Sequence, residues 1–476
     1  MYQAILALPA LIYIFNKRST RILLAAVQVI LLVLHGTGFY PLQAQQILVL
    51  VVSLILLIDP VSNSQLLALV ALIGVTPLPG NLPLVALVLL VVFALSARKN
   101  QGRIGLYAII ALSSVLILEY LGYPFAGAPL VLMLVGALPF QKWLPDMYSN
   151  YKSAGVLVAF TVLVFLNENL VSYAAIAPLL LLLGALTTIV GVFQCMISRR
   201  FADLFSTIHQ ITFGLLLVSA SVKELDALFS YLLLPAVISL SIINYVHDSL
   251  NEKTGNSMFE FGGLSTVMKV ESVSTLATYL VLFSLLSMGA EVLMQMGIEG
   301  SIGFILLGCA MLFAAAASLA VFFRSYTLVF EGPPKGSVTS GSCQKFAVAL
   351  VSAGNLLLAL IPAWPLLAFS LAGGGNPPQF EAMNNLLLVM LVATLLSAVI
   401  VGGGKPGKVK SWMTGYATVD DLQGSKGEIF TAWREIFRSV YNIRIPDDGV
   451  SRTLDRINPL MLLVLIVVLA IIGVMI

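Results

Sequence analysis

The stretch that decides the fold is VGALPFQKWLPDMYSNYKSAG, residues 135–155, where an apolar run meets two prolines, a lysine and a tryptophan. Pro139 removes one backbone donor and clashes with the preceding turn, so a helix that passes through it must bend. If this run lies in a membrane, the carbonyl groups freed by the bend are tolerated only where protein or trapped water satisfies them. The sequence therefore predicts an interrupted helix at this point.

The composition of the whole chain places this stretch in a membrane. The chain has 476 residues, of which 59% are hydrophobic and 10% are charged, whereas a soluble protein has roughly 25% charged residues. Apolar runs of about 17 to 25 residues, long enough to cross a bilayer as helices, recur along the chain. Because these runs do not alternate with polar residues, they exclude barrel strands. The predicted fold class is an all-α polytopic membrane protein with about 14–16 transmembrane helices.

Positive charge is concentrated in the odd-numbered loops between these runs, as at residues 17–21, 98–103, 199–200 and 405–410. The positive-inside rule assigns those loops to the cytoplasm and both termini to the non-cytoplasmic side. The first apolar run leads to a basic loop and not to a small-residue cleavage site, so we expect no cleavable signal. We expect a multi-pass protein in the inner, cytoplasmic membrane of a prokaryote.

The longest polar stretch, residues 405–457, contains one amphipathic helix. Its apolar face follows helical spacing through Ile429, Phe430, Trp433, Ile436, Phe437, Val440 and Tyr441. Such a helix lies on the bilayer surface or its own bundle, or it packs on a partner subunit and couples to it. The sequence leaves both interpretations open.

The opening stretch resembles a signature of the antiporter-like membrane subunits shared by respiratory complex I, energy-converting (membrane-bound) hydrogenases and Mrp-type cation/proton antiporters. The positions that fit the signature are Pro139, Phe140, Trp143, Leu144, Pro145 and Asp146. Gln141 stands where the family has histidine. Later segments follow in the family's order, including FGGLSTVM with Gly262 and Gly263, and FFRSYTLVFEGPP. The resemblance covers roughly residues 100–335 and marks the chain as a divergent copy.

The resemblance implies a bundle of two inverted five-helix repeats, each with one interrupted helix near mid-membrane. It also implies an order of regions along the chain. These are N-terminal spans at 1–98, an antiporter-like core at 99–335, C-terminal spans at 336–404, an amphipathic cytoplasmic-side segment at 405–457 and a final transmembrane helix at 458–476.

In the family, proton movement is attributed to a mid-membrane chain of ionisable residues, since a charge buried in lipid persists only beside a partner or water. Carried over by register, two of the family's lysine positions fall on Leu134 and Phe165, which cannot hold a proton. The fifth-span glutamate has no counterpart between residues 65 and 96. The twelfth-span residue falls near 294–296, and the nearest ionisable group is Glu291, about one helical turn away. We therefore expect a degenerate charge relay.

The candidates for a proton or ion path that remain are Glu119, Asp203, His209 and Glu291. Glu291 lies beside a predicted weak point at residues 287–289, and His209 lies within a turn or two of Asp203, so these two are the strongest proton-handling candidates. Solvation at the membrane interface accounts equally well for Glu119. The 3 cysteines and 3 histidines are scattered. We therefore predict no catalytic residue, no cofactor and no metal site.

The resemblance implies a membrane-arm subunit of a complex I-like or energy-converting hydrogenase-like ion pump, with a largely structural or coupling role. Its expected partners are other membrane subunits, soluble redox subunits indirectly, and lipid, but no nucleic acid. It is at most a non-redox subunit of an ion-translocating oxidoreductase complex. Two alternatives remain open, namely a stand-alone cation/proton antiporter or secondary transporter, and the membrane subunit of an inorganic-carbon uptake complex.

Overall fold

The computed structural model describes the central part of the chain. The described residues are 101–123, 126–138, 140–148, 161, 176–198, 200–221, 226–251, 258, 262–299, 302–331, 348, 349, 352, 353, 355 and 356. The predicted N-terminal spans at 1–98, the amphipathic segment at 405–457 and the final helix at 458–476 lie outside them, as do the C-terminal spans at 336–404 apart from isolated positions. Within the described part the chain forms helices and turns without a strand, so the all-α class is confirmed there.

Eight α-helices cover the described core. They are α1 (Gln101–Tyr120), α2 (Ala128–Val135), α3 (Leu144–Tyr148), α4 (Ala177–Ile197), α5 (Phe201–Ser221), α6 (Asp226–Asn251), α7 (Lys269–Glu299) and α8 (Ile302–Phe330). Short 3-10 turns lie at Phe140–Trp143, before α3, and at Leu264–Thr266, before α7. Four of these helices, α4, α5, α7 and α8, are long and apolar enough to cross a membrane. The chain is thus a multi-pass membrane protein.

Helix α5 lies at the centre of this part of the bundle. It packs against α2, α3, α4, α6 and α7, and most of its side chains are buried. Phe205 near the start of α5 meets the ring of His247 near the end of α6, and Tyr245 of α6 bonds to Glu271 near the start of α7. Helices α5 and α7 therefore run parallel, with α6 antiparallel between them.

Glycines allow two helix pairs to approach closely. A Cβ atom at Gly214 of α5 would lie 2.6 Å from Oγ1 of Thr188 in α4. A Cβ atom at Gly308 of α8 would lie 2.9 Å from the carbonyl oxygen of Ala290 in α7. Small residues at such crossings let membrane helices gain contact area where lipid gives no hydrophobic drive for association.

The weak point predicted at residues 287–289 does not interrupt its helix. Helix α7 is continuous from Lys269 to Glu299. It contains no proline, so no backbone donor is lost. Gly289 lies where a Cβ atom would collide with Leu215 of α5, and Ser287 donates to the carbonyl oxygen of Phe283 at 3.0 Å. The glycine is therefore a packing residue and not a break.

The Gly262–Gly263 motif forms the turn that starts α7. Gly263 adopts the left-handed conformation, with a φ of 63°, which favours glycine. Its N–H donates to the carbonyl oxygen of Glu331 at 2.7 Å, directly after α8 ends. This bond joins the start of α7 to the end of α8.

Candidate functional site

The candidate site is the interruption between α2 and α3, which the opening stretch of sequence predicts. Helix α2 ends at Val135, and Gly136 takes the left-handed conformation with a φ of 66°. The N–H groups of Gly136 and Ala137 donate back to Met133 and Leu132, both at 2.9 Å. This is the glycine-ended stop of an α-helix. The break is thus confirmed, but it begins three residues before Pro139, which itself lies outside the described residues.

Two side chains from neighbouring helices satisfy the groups that the break exposes. In an uninterrupted helix, the N–H of Leu138 would donate to the carbonyl oxygen of Leu134. Instead, the Leu138 N–H donates to Oγ1 of Thr187 in α4 at 3.0 Å. The Leu134 carbonyl oxygen lies 2.9 Å from Nε2 of His209 in α5. Each half of one missing helical bond therefore has a side-chain partner.

His209 also contacts the chain beyond the break. Its Nδ1 lies 3.0 Å from the hydroxyl of Tyr148, at the end of α3. A carbonyl oxygen can only accept, so Nε2 must carry the hydrogen and Nδ1 of the neutral ring accepts from Tyr148. The imidazole is fully buried, and the centroid of its ring lies 4.5 Å from that of the Phe213 ring. His209 thus links the two sides of the interruption with both of its nitrogens.

The residues of the motif build the walls of this site. Phe140, Trp143 and Leu144 are fully buried, whereas Pro145 and Asp146 are half-buried. Leu134, where the family would have a lysine, is also fully buried. Phe165 lies outside the described residues. The site therefore offers a backbone carbonyl, and not an ionisable side chain, at the position where the resemblance implies a lysine.

Asp203 is engaged at the start of α5. Its carboxylate accepts two hydrogen bonds from Arg200, at 2.9 Å from Nε and 2.8 Å from Nη2. The hydrogen bond to Asp203 raises the pKa of Arg200 above its ordinary value. Both side chains are partly exposed, so the pair belongs to the surface of the bundle. The structure gives Asp203 a partner other than His209.

Glu291 lies in α7, well removed from His209 along the bundle axis. Leu215 of α5 meets Gly289 of α7. Since α5 and α7 run parallel and a helix rises 1.5 Å per residue, Glu291 lies roughly 12 Å beyond His209 along the bundle axis. Glu291 is partly exposed, and so is Glu119 near the end of α1. In each glutamate, Oε2 is buried without a hydrogen-bond partner.

The small cavity between the levels of His209 and Glu291 is lined mainly by apolar side chains. A cavity of about 10 Å³ lies there among α5, α6, α7 and α8. Its lining residues are Ile211, Thr212, Leu215, Leu216, Ala236, Leu282, Leu285, Leu286 and Phe322. The Thr212 hydroxyl donates to the Ile208 carbonyl oxygen of its own helix at 2.8 Å. A space of this size holds about one water, and these walls offer it few polar partners.

Three functional contacts escaped the sequence reasoning. Gly136 carried a readable signal, because a glycine directly after an apolar run is typical of a helix end. Thr187 carried none, since a threonine in an apolar span bonds its own helix by default. Glu271, fully buried in the first turn of α7, has the sequence signature of an ordinary exposed helix start.

The described fold defines a class, a multi-pass helical membrane protein with an interrupted helix clamped against a central helix. Chains from known membrane complexes have a similar overall fold. A chain of respiratory complex I from Thermus thermophilus with bound NADH has a TM-score of 0.61 at 17% identity, covering 81% of this chain and 100% of that chain. A chain of the Mrp complex from Dietzia sp. DQ12-45-1b has a TM-score of 0.61 at 13% identity, covering 81% of this chain and 97% of that chain.

A chain of the membrane-bound sulfane sulfur reductase, an archaeal respiratory membrane complex, has a TM-score of 0.62 at 14% identity, covering 98% of this chain and 99% of that chain. No family model and no curated protein matches the sequence. At these identities the similarity shows the fold. The resemblance to antiporter-like membrane subunits is confirmed at that level.

Proposed function

We propose that the chain is an antiporter-like membrane subunit of a redox-driven ion pump, of complex I-like or energy-converting hydrogenase-like type. Its proton path is degenerate, and its role is largely structural or coupling. The shared fold with chains of two respiratory membrane complexes supports the first part of this proposal. The geometry of the break supports the second.

The observation that carries the degenerate path is the hydrogen bonding of His209. A relay residue must be able to pass its proton to a neighbour that can release it again. The Leu134 carbonyl accepts the hydrogen of Nε2 and has no proton of its own to pass on. On the other side, the Tyr148 hydroxyl is the only described partner of Nδ1. The imidazole therefore gives its one hydrogen to a group that cannot pass a proton on.

The apolar space above His209 supports the same proposal. Protons cross protein interiors along polar side chains or water, and a buried charge without either is unfavourable. Between the levels of His209 and Glu291, the cavity lining is apolar apart from Thr212, whose hydroxyl bonds its own helix. A proton path through this cavity would meet one hydroxyl group and otherwise apolar side chains.

The proposed setting is a multisubunit complex in the cytoplasmic membrane of a prokaryote, with both termini on the non-cytoplasmic side. Other membrane subunits would contact the chain directly, and soluble redox subunits would act through them.

The first test is purification of the tagged chain from native membranes in mild detergent. Copurification of redox subunits agrees with the proposal, and a chain that elutes alone contradicts it.

The second test concerns the path and uses His209→Gln in the intact complex. Glutamine can donate to the Leu134 carbonyl and accept from Tyr148, but it cannot take up a proton at neutral pH. We expect the number of ions moved per electron pair to equal that of the wild type. A loss of ion movement with electron transfer preserved would assign His209 to a working relay and contradict the degenerate path.

The similarity to a chain of the Mrp complex favours one alternative, a cation/proton antiporter that works without redox partners. This alternative predicts that the purified chain exchanges Na⁺ or K⁺ for protons in liposomes. Our proposal predicts no exchange above that of empty liposomes. A zinc enzyme among the copurifying proteins would instead favour the membrane subunit of an inorganic-carbon uptake complex.

A further inference from the structure

Glu291 lies on the outward face of α7. From residue 271 to residue 291, the positions of α7 that are not buried recur every three or four residues and share one side of the helix. They are Val273, Leu276, Ala277, Leu280, Phe283, Ser287 and Glu291. Gly289, which meets α5, lies about 200° around the helix from Glu291, because each residue turns an α-helix by about 100°. The described bundle therefore leaves a strip of α7 partly uncovered, and this strip is apolar until it ends in a hydroxyl and a carboxylate.

The level of Glu291 lies inside the apolar part of the bundle. A Cβ atom at Gly308 of α8 would lie 2.9 Å from the carbonyl oxygen of Ala290, so Gly308 and Glu291 are at about the same level. In the antiparallel helix α8, Ile302 and Leu306 lie beyond that level, by roughly 9 Å and 3 Å. These two side chains are 75% and 66% exposed. Exposed apolar side chains of a membrane protein face hydrocarbon, so the apolar layer continues past Glu291.

A carboxylate at this depth needs a partner, because an ionised group in hydrocarbon is unfavourable unless it is paired or hydrated. Oε2 of Glu291 is buried without a hydrogen-bond partner among the described residues. Arg324, the one basic residue within α8, follows Gly308 by 16 positions, which places it roughly 24 Å away along the axis. The apolar stretches of the chain contain no lysine or arginine, as the sequence shows for residues 22–97, 104–141, 153–198, 201–222, 224–252, 270–323, 346–404 and 457–476. A cation for Glu291 must therefore come from another polypeptide.

We infer that the outward face of α7 docks against a transmembrane helix of a neighbouring subunit, and that this helix carries a lysine or arginine at the level of Glu291. Charge complementarity identifies the occupant, because lipid tails offer a carboxylate neither a hydrogen bond nor a charge. The apolar residues from Val273 to Phe283 pack along the same helix, and the ion pair fixes its depth and register. The inference rests on the proposed function, since it specifies how one of the expected membrane subunits contacts the chain. Glu291 is then a docking group and not a relay residue.

The first experiment identifies the neighbour in native membranes. The photoreactive amino acid p-benzoylphenylalanine replaces Ser287, which is partly exposed and lies about one turn before Glu291 on the same face. After irradiation, we expect mass spectrometry to find a crosslinked peptide from an apolar span of another subunit. That span should contain a lysine or arginine within about one helical turn of the crosslink. Crosslinks to lipid alone, to this chain alone or to a span without a basic residue overturn the inference.

The second experiment measures how fast that subunit dissociates from the purified complex in mild detergent. Glu291→Gln leaves the partner's cation unpaired in the contact, so we expect the dissociation rate to rise at least about 30-fold. Glu291→Lys should raise it further, and reversal of the partner's basic residue to glutamate should bring the Glu291→Lys complex back towards the wild-type rate. Glu331→Gln is the matched control, because Glu331 is an exposed glutamate directly after α8. Its complex should dissociate at the wild-type rate.

The outcomes separate this inference from the proposed function. A Glu291→Gln complex that dissociates at the wild-type rate overturns the inference and leaves the proposed function standing. A faster dissociation that the exchanged charge pair does not reverse also overturns it, as does a Glu291→Gln chain that unfolds more easily than the wild type when purified alone. A wild-type chain that elutes from native membranes without any other subunit contradicts both. If Glu291→Gln does not fold, the crosslinking at Ser287 still decides, since it leaves the carboxylate in place.

Discussion

Replacement of His209 by leucine tests whether this side chain holds the interruption together. The change removes the hydrogen bonds to the Leu134 carbonyl at 2.9 Å and to the Tyr148 hydroxyl at 3.0 Å. The buried Leu134 carbonyl is left without its histidine partner, which costs about 1–3 kcal/mol, and the lost bond to Tyr148 adds about 1 kcal/mol. We therefore expect His209→Leu to lower the free energy of unfolding by about 2–4 kcal/mol.

His209→Gln separates the hydrogen bonds from the aromatic ring. Glutamine can hydrogen-bond both partners, so His209→Gln should lower the free energy of unfolding less than His209→Leu does. The remaining decrease should come mainly from the missing ring contact with Phe213. Thr212→Val is the control, since Thr212 is buried one turn further along α5 and bonds only within its own helix. Thr212→Val should lower the free energy of unfolding by about 1 kcal/mol, the net value of an ordinary intramolecular hydrogen bond.

The assay is unfolding of the purified chain in mixed micelles by titration with a denaturing detergent. The expected order of stability places the wild type first, Thr212→Val and His209→Gln next, and His209→Leu last. A His209→Leu chain as stable as Thr212→Val would show that the two bonds do not stabilise the break. A His209→Gln chain as unstable as His209→Leu would show that ring packing, and not hydrogen bonding, accounts for the effect.

Three further changes test neighbouring parts of the site. Thr187→Val leaves the N–H of Leu138 without its acceptor, so we expect a loss of about 1–3 kcal/mol in the same unfolding assay. Gly136→Ala should lower the free energy of unfolding more than Gly122→Ala. Both glycines have a positive φ, but only a Cβ atom at Gly136 would meet another side chain. Equal losses would mean that backbone strain of about 1–2 kcal/mol accounts for the whole effect. Asp203→Asn should change stability by less than about 1 kcal/mol and leave ion movement in the complex unaltered, whereas a loss of ion movement would return this residue to the path.

Local sequence signals predicted the elements of this fold well where backbone chemistry depends on one residue type. Apolar runs in the sequence correspond to the helices α4 to α8. Pro139 pointed to the interruption, but the helix stops at Val135 because Gly136 can adopt the left-handed conformation. The same reasoning failed for Gly289, since a glycine in a helix serves close packing as readily as it serves a break.

The partners across the site could not be predicted, because nothing local encodes them. Leu138 and Thr187 are 49 residues apart, and Leu134 and His209 are 75 residues apart. The sequence named His209 as a proton-handling candidate from its place beside Asp203. In the structure its neighbours are a carbonyl group and a tyrosine from the interrupted helix, and only the packing of α5 against α2 and α3 determines that.

The arrangement of the break bears directly on the proposed coupling role. The Leu134 carbonyl and the Leu138 N–H belong to a single missing helical bond, yet they are held by different helices, α5 and α4. Any sliding of α4 against α5 must therefore lengthen one of these bonds or move the two sides of the interruption together. His209 adds a third tie, since it also reaches Tyr148 beyond the break. A joint of this kind can transmit displacement between three helices through neutral groups alone, which is what the proposed coupling role requires.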